Sequence, residues 1–171
     1  MTIPESVTSI GHEAFRGCSG LTSVTIPESV TSIGEGAFYG CSGLTSVTIP
    51  ESVTSIGESA FSLFSNTSVN VVIDDIDSWF TKAFWPYGGK VHLYLNGEEI
   101  KQLVVSNNVT TIGASTFKNC AGLTSVIIPD NVTIIYGSAF EGCTNLASVS
   151  IPEGISSIGA KAFAGCYQSS Y

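Results

Sequence analysis

Residues 21–43 read LTSVTIPESVTSIGEGAFYGCSG, and residues 44–66 read LTSVTIPESVTSIGESAFSLFSN. The second stretch repeats the first at a period of 23 residues. The unit returns at 100–122 (IKQLVVSNNVTTIGASTFKNCAG), at 123–145 (LTSVIIPDNVTIIYGSAFEGCTN) and at 146–168 (LASVSIPEGISSIGAKAFAGCYQ). Residues 1–20 carry the same unit without its beginning, and 67–99 is an irregular coil. A fixed period of this size marks a repeat architecture, because one such unit cannot bury its apolar face alone.

Each unit has a physical reading. Val24 and Ile26 alternate with Thr25, the pattern of a short half-buried strand. Pro27 ends the pairing because it has no N–H to donate. Val30 and Ile33 begin a second extended piece across the coil, and Gly34 turns the chain. Ala37-Phe38 places a ring in the interior on a single helical or 3₁₀ turn, and Cys41 closes the coil. Two positions hold mostly Gly or Asn: Gly17, Gly40, Asn119, Gly142, Gly165, and Gly20, Gly43, Asn66, Gly122, Asn145. Both are expected to be left-handed turn sites. Leu63 breaks the first rule and Tyr136 stands where Gly34 stands, so backbone adjustment is expected at both. Stacked units give a continuous core and short parallel strands. Seven coils at the strand spacing make a solenoid roughly 35 Å long.

The units LTSVTIP…VTSIG…AF…GC resemble the leucine-rich repeats of the BspA-like, Treponema pallidum-type family. The resemblance covers the whole chain except the middle of 67–99. It implies a right-handed superhelix with short parallel β-strands on one side and turns with short 3₁₀ or helical segments on the other. It also implies a cell-surface or secreted protein that adheres to a protein or glycan of a host or neighbouring cell. The chain reads as a single domain over 1–171. Its first coil enters mid-unit at Met1-Thr2-Ile3-Pro4 and neither end shows a cap, as expected of a segment of a longer array. An exposed end strand allows end-to-end self-association.

Composition narrows the functions. Charged residues are 12% of the chain and hydrophobic residues 43%. The net charge of −8 rests on 14 acids against 6 bases, too few bases to clamp phosphates. Nucleic acid is therefore excluded as a partner. No apolar run is long enough to insert in a membrane, and no signal peptide opens the chain. Cys18, Cys41, Cys120, Cys143 and Cys166 form one ladder, with Phe64 at the third coil, so the position reads as buried and apolar. They lack the convergent spacing of a zinc site. His12 and His92 have no nucleophile beside them, and no elbow or phosphate-loop motif occurs. No enzyme, cofactor or metal is expected. Asp74, Asp75 and Asp77 read as a solvated turn rather than a calcium loop.

What remains is surface. Outward strand positions are Thr22, Ser23, Thr25 and Pro27 and their equivalents, a polar and nearly uniform face. Beside it runs an acidic stripe of Glu5, Glu28, Glu51, Asp130 and Glu153. The stripe either solubilises an edge or attracts a basic partner or cation. The irregular coil holds Trp79 and Trp85 with Phe80, Phe84, Tyr87 and Tyr94 nearby. Trp79, Trp85 and Tyr87 are either recognition residues or part of a local core. VHLYLNGEE reads as a hairpin turning at Asn96-Gly97. A binding module is the leading reading. A spacer of a longer surface protein, and an ice-ordering Thr/Ser ladder, are the alternatives. Asn66-Thr67-Ser68, Asn108-Val109-Thr110 and Asn131-Val132-Thr133 match the glycosylation triplet.

Overall fold

The V-x-I trios become strands because alternate side chains point to opposite faces, and only one face can be covered by the coil. The computed structural model describes residues 1–61, 68–73, 76 and 90–166. These fall into two compact units. The described residues of the first are 1–61, 68–73 and 90–91; those of the second are 76 and 92–166.

In the first unit, β2 (Ser23–Thr25), β4 (Ser46–Ile49) and β6 (Ser68–Ile73) pair in parallel. A second sheet across the coil holds β1 (Ser9–Ile10), β3 (Ser32–Ile33) and β5 (Ser55–Ile56). The register advances by one repeat, with Val24 opposite Val47 and Ile33 opposite Ile56. It shortens by one residue at β6, where Val47 faces Val69. Thr2 bridges Thr25, so the incomplete first unit takes its place in register.

The second unit repeats this plan. β9 (Gln102–Val104), β11 (Ser125–Ile127) and β13 (Ser148–Ser150) form one parallel sheet. β10 (Thr111–Ile112), β12 (Ile134–Ile135) and β14 (Ser157–Ile158) form the other. β7 (Lys90–Leu95) and β8 (Glu98–Glu99) make the expected hairpin, with both Asn96 and Gly97 at positive φ, as a two-residue turn that follows the strand twist requires.

The core is a set of columns. Val24 and Val47, Ile33 and Ile56, Ala37 and Ala60 are buried one above the other, as are Leu103 and Val126, and Ile112 and Ile135, in the second unit. Phe15, Phe38 and Phe61 stack at centroid distances of 5.2 and 5.3 Å. Phe117, Phe140 and Phe163 stack at 5.2 and 5.2 Å. Each ring covers the next, so the column excludes water without a wider core.

The segment carrying these rings is not the helical turn that the Ala-Phe pair suggests. It is a run of overlapping tight turns in which every second N–H leaves the coil. Glu13 donates to Glu35, Phe15 to Ala37 and Gly17 to Tyr39; Ser115, Phe117 and Asn119 donate to Gly137, Ala139 and Glu141 in the same way. A helix would consume those donors internally. Here they join successive coils instead.

The two Gly/Asn positions separate. Gly17, Gly40, Asn119, Gly142 and Gly165 are left-handed as expected, with φ of 60° to 77°. Gly20, Gly43, Gly122 and Asn145 are not left-handed. At that position the constraint is space: a Cβ on Gly43 would lie 2.5 Å from the Ser19 carbonyl oxygen. Asn145 is accommodated there by donating its side-chain amide to the Ala121 carbonyl at 2.8 Å. A further left-handed column holds Glu13, Gly36, Ser59, Ser115, Ser138 and Lys161. Tyr136 needs no break in the ladder. Its N–H reaches the Ile112 carbonyl at 2.9 Å, as Gly34 reaches Ile10 at 2.7 Å. Leu63 lies outside the described residues.

Candidate binding surface

Polar side chains between the ladder positions do more than solvate the surface. Ser29 and Ser52 donate to the carbonyls of Val7 and Val30 in the preceding coil, at 2.8 and 2.9 Å. Thr31 and Thr54 do the same to Thr8 and Thr31. Hydroxyls thus tie coils together where a more charged protein would use ion pairs. Asn131 donates to the carbonyls of Asn107 and Val109, at 2.7 and 2.6 Å. Its amide nitrogen is therefore committed to coil stacking, whereas Asn108 is exposed.

The cysteine ladder divides by position. Cys41, Cys120 and Cys143 are buried, Cys166 is half-buried, and Cys18 in the first coil is exposed. Cys41 and Cys143 donate their thiols to the carbonyls of Phe15 and Phe117, at 3.0 and 3.1 Å. Burial pushes the Cys41 and Cys120 thiols up, away from the reactive thiolate. These side chains pack.

The predicted outward residues Thr22, Ser23, Thr25, Thr45 and Thr48 of the first unit are exposed. Pro27 and Pro50 are not outward: both are buried, because each opens a tight turn in which Val30 or Val53 donates back to the proline carbonyl. Glu28, Glu51, Asp130 and Glu153 follow those turns' first residues and are exposed. Within the first unit Glu5, Glu28 and Glu51 occupy one register position, and within the second Asp130 and Glu153 do. Trp79, Trp85 and Tyr87, with Phe80, Phe84 and Asp74, Asp75 and Asp77, lie outside the described residues.

The second unit's strand face is less uniform than its sequence suggests. Val104 and Ile127 sit opposite each other on paired strands and are 54% and 41% exposed. Next to Val104 a groove of about 370 Å³ is lined by Leu95, Glu98, Glu99, Ile100 and Lys101, among others. Glu99 organises its wall. Its carboxylate accepts from His92 Nδ1 and from Lys101 Nζ. Burial alone would raise the Glu99 carboxyl, but the hydrogen bonds from Lys101 and His92 outweigh it and hold it below the usual carboxylate range. On the opposite side of the coil, Lys118 pairs with Glu141 at 3.1 Å. Hydrogen bonding from Ser138, with Lys118, lowers the Glu141 carboxyl.

Sequence reading found the alternation that exposes Val104 and Ile127, since both stand between ladder positions. It missed the His92–Glu99–Lys101 cluster. The hairpin reading of VHLYLNGEE was the signal that could have placed His92 and Glu99 on facing strands.

Two short stacks of parallel coils, with one apolar column per ladder position, define a leucine-rich-repeat solenoid. The chain belongs to the family of BspA-type leucine-rich repeat regions, described as six copies of the repeat, whose model matches residues 1–86 and 91–171. Similar solved structures include the Treponema pallidum leucine-rich repeat protein, at 27% identity and a TM-score of 0.54, covering 99% of this chain and 77% of that one. A leucine-rich cell surface protein from Faecalibacterium prausnitzii is 30% identical with a TM-score of 0.51, covering 98% of this chain and 51% of that one. A leucine-rich repeat protein from Eubacterium ventriosum is 29% identical with a TM-score of 0.53, covering 99% and 43%. The chain thus spans about half the length, or less, of the latter two. No curated protein matches it. Among the described residues, no helix is long and apolar enough to cross a membrane.

Proposed function

We propose that the chain is a non-catalytic binding module of a cell-surface or secreted protein, adhering to a protein or glycan of a host or neighbouring cell. The observation that carries this reading is the exposed Val104–Ile127 pair beside the groove walled by Glu99 and Lys101. An apolar patch held on a rigid sheet and rimmed by charge is the form of an interaction site rather than of a solvated face. Asp130 and Glu153 in this unit, and Glu28 and Glu51 in the first, are exposed acids that favour a basic partner, and Trp79, Trp85 and Tyr87 of the irregular coil are residue types that anchor partners. Family membership and the likeness to a described cell surface protein support the location.

The test is an array of glycans and extracellular-matrix proteins probed with the chain and with Val104→Ser/Ile127→Ser and Trp85→Ala. Both positions of the first variant are outward, so it leaves thermal stability unchanged and weakens binding about tenfold or more, as loss of a desolvated anchor does. An array without signal leaves the chain as a spacer and refutes the module. Full binding by both variants refutes the assigned surface.

A further inference from the structure

We propose that the open edge of β9 takes up an extended, basic segment of a partner protein as an added strand. This rests on the binding-module reading above and names its partner: a stretch of backbone with alternating apolar side chains and a lysine or arginine.

The hydrogen-bond ladder stops at β9, inside the second unit. Thr25 and Val104 hold the same place in their repeats. Thr25 donates to the Met1 carbonyl at 3.1 Å and accepts from the Ile3 N–H at 3.3 Å. β9 spends one edge on β11, where the Lys101 carbonyl accepts from Ser125 and the Val105 N–H donates to Ile127. Backbone groups alternate between the two edges of a strand, so those of Gln102 and Val104 point the other way. On that side the hairpin pairing ends at Ile100, whose N–H reaches the Leu93 carbonyl at 2.8 Å. The N–H and C=O groups of Gln102 and Val104 have no partner among the described residues. A row of unpaired donors and acceptors on a strand edge is a template for another strand.

The flanks of this edge select the guest. The groove beside it is lined by Ile76, Leu95, Ile100 and Leu103, so a guest side chain turned inward meets aliphatic surface. A side chain turned outward lies beside Val104, which is 54% exposed and sits against Ile127. Charge is complementary to a basic guest. Lys101 and His92 are both engaged by Glu99, whereas Glu98, on the groove wall, is exposed and has no ion pair among the described residues. Its carboxylate is left for a cation that the guest supplies. Main-chain bonds along β9 thus provide the affinity, and the alternate side chains provide the choice.

The experiment probes the full chain with an array of short peptides of varied sequence, beside the glycan and matrix-protein array, and titrates the best peptide by fluorescence anisotropy. Bound peptides are expected to alternate apolar residues and to carry lysine or arginine. N-methylation of one alternate set of the peptide's amides is expected to abolish binding, and of the other set to leave it, because only one edge of the guest faces β9. Gln102→Pro removes an edge donor at a position where proline is tolerated, and is expected to weaken binding about tenfold with far-UV circular dichroism unchanged. Glu98→Lys is expected to weaken it about fivefold at low salt and less at high salt. Equal effects of the two methylated peptides overturn the proposal, and they decide alone if Gln102→Pro misfolds. A folded Gln102→Pro that binds like the parent also overturns it. Signal from glycans or matrix proteins with a silent peptide array overturns the added strand and leaves the module standing, whereas silence on both arrays overturns both. Self-association of the chain that Gln102→Pro abolishes makes a second copy the occupant, and overturns the partner named here.

Discussion

Replacing Phe38 by alanine tests the stacked column directly. The ring is fully buried and lies between two others, 5.2 Å from Phe15 and 5.3 Å from Phe61. A buried aromatic removes about 150–250 Å² from water, and at about 25 cal/mol per Å² most of that is lost on truncation. Measured Phe-to-Ala losses in cores are about 3–5 kcal/mol, cavity included. Two stacking partners place Phe38 in the upper half of that range, at about 4 kcal/mol. Phe15 has one described stacking partner and is half-exposed at the end of the column. Its truncation is expected to cost about 2 kcal/mol, since roughly half the burial is at stake. In a stack whose stability sums coil and neighbour terms, the difference lies in the column and not in overall composition. Urea unfolding followed by far-UV circular dichroism reads both values. Equal losses at the two positions, or a loss below about 1 kcal/mol at Phe38, would refute the view that the rings act as a continuous core.

Two further predictions concern the polar groups. The Glu99 carboxyl has a folded-state pKa below its unfolded value, so its contribution to stability is full above about pH 4.3 and is lost as pH falls through the lowered folded value. Glu99→Gln is therefore expected to lower stability at neutral pH and to flatten the acid limb below about pH 4.3, read by thermal unfolding across pH; an unchanged acid limb would count against the cluster. In a host that glycosylates secreted chains, Asn131 is expected to stay unmodified because its amide nitrogen bonds Asn107 and Val109, while the exposed Asn108 accepts the glycan; intact-mass and peptide mapping that found a glycan on Asn131 would contradict this.

The repeat was legible because a solenoid writes its tertiary neighbours into the sequence at a fixed offset. Val24, Ile26, Ile33 and Phe38 announced their columns by recurring, and Asn96-Gly97 announced its hairpin by turn chemistry alone. The left-handed column at Glu13, Ser59, Ser115, Ser138 and Lys161 had no such signal. These residues do not prefer positive φ. The coil forces it on them, because their N–H groups must aim at the neighbouring coil, as those of Glu13, Ser115 and Ser138 do.

Gly43 shows the same division in reverse. Its identity suggested a turn, yet what it answers to is the Ser19 carbonyl, one coil away. The site followed suit. Alternation placed Val104 and Ile127 outward, but only the pairing of β9 with β11 set them side by side, and only the hairpin brought His92 and Glu99 together. By itself the sequence determined the period, the strands, the buried columns and the acid excess, since these depend on residues close in the chain or on exact recurrence. Tertiary structure decided which glycines are turns and which are contacts, which polar groups bind coils together, and where apolar surface remains uncovered. Each of those depends on backbone from another coil, whose distance and direction no local pattern encodes.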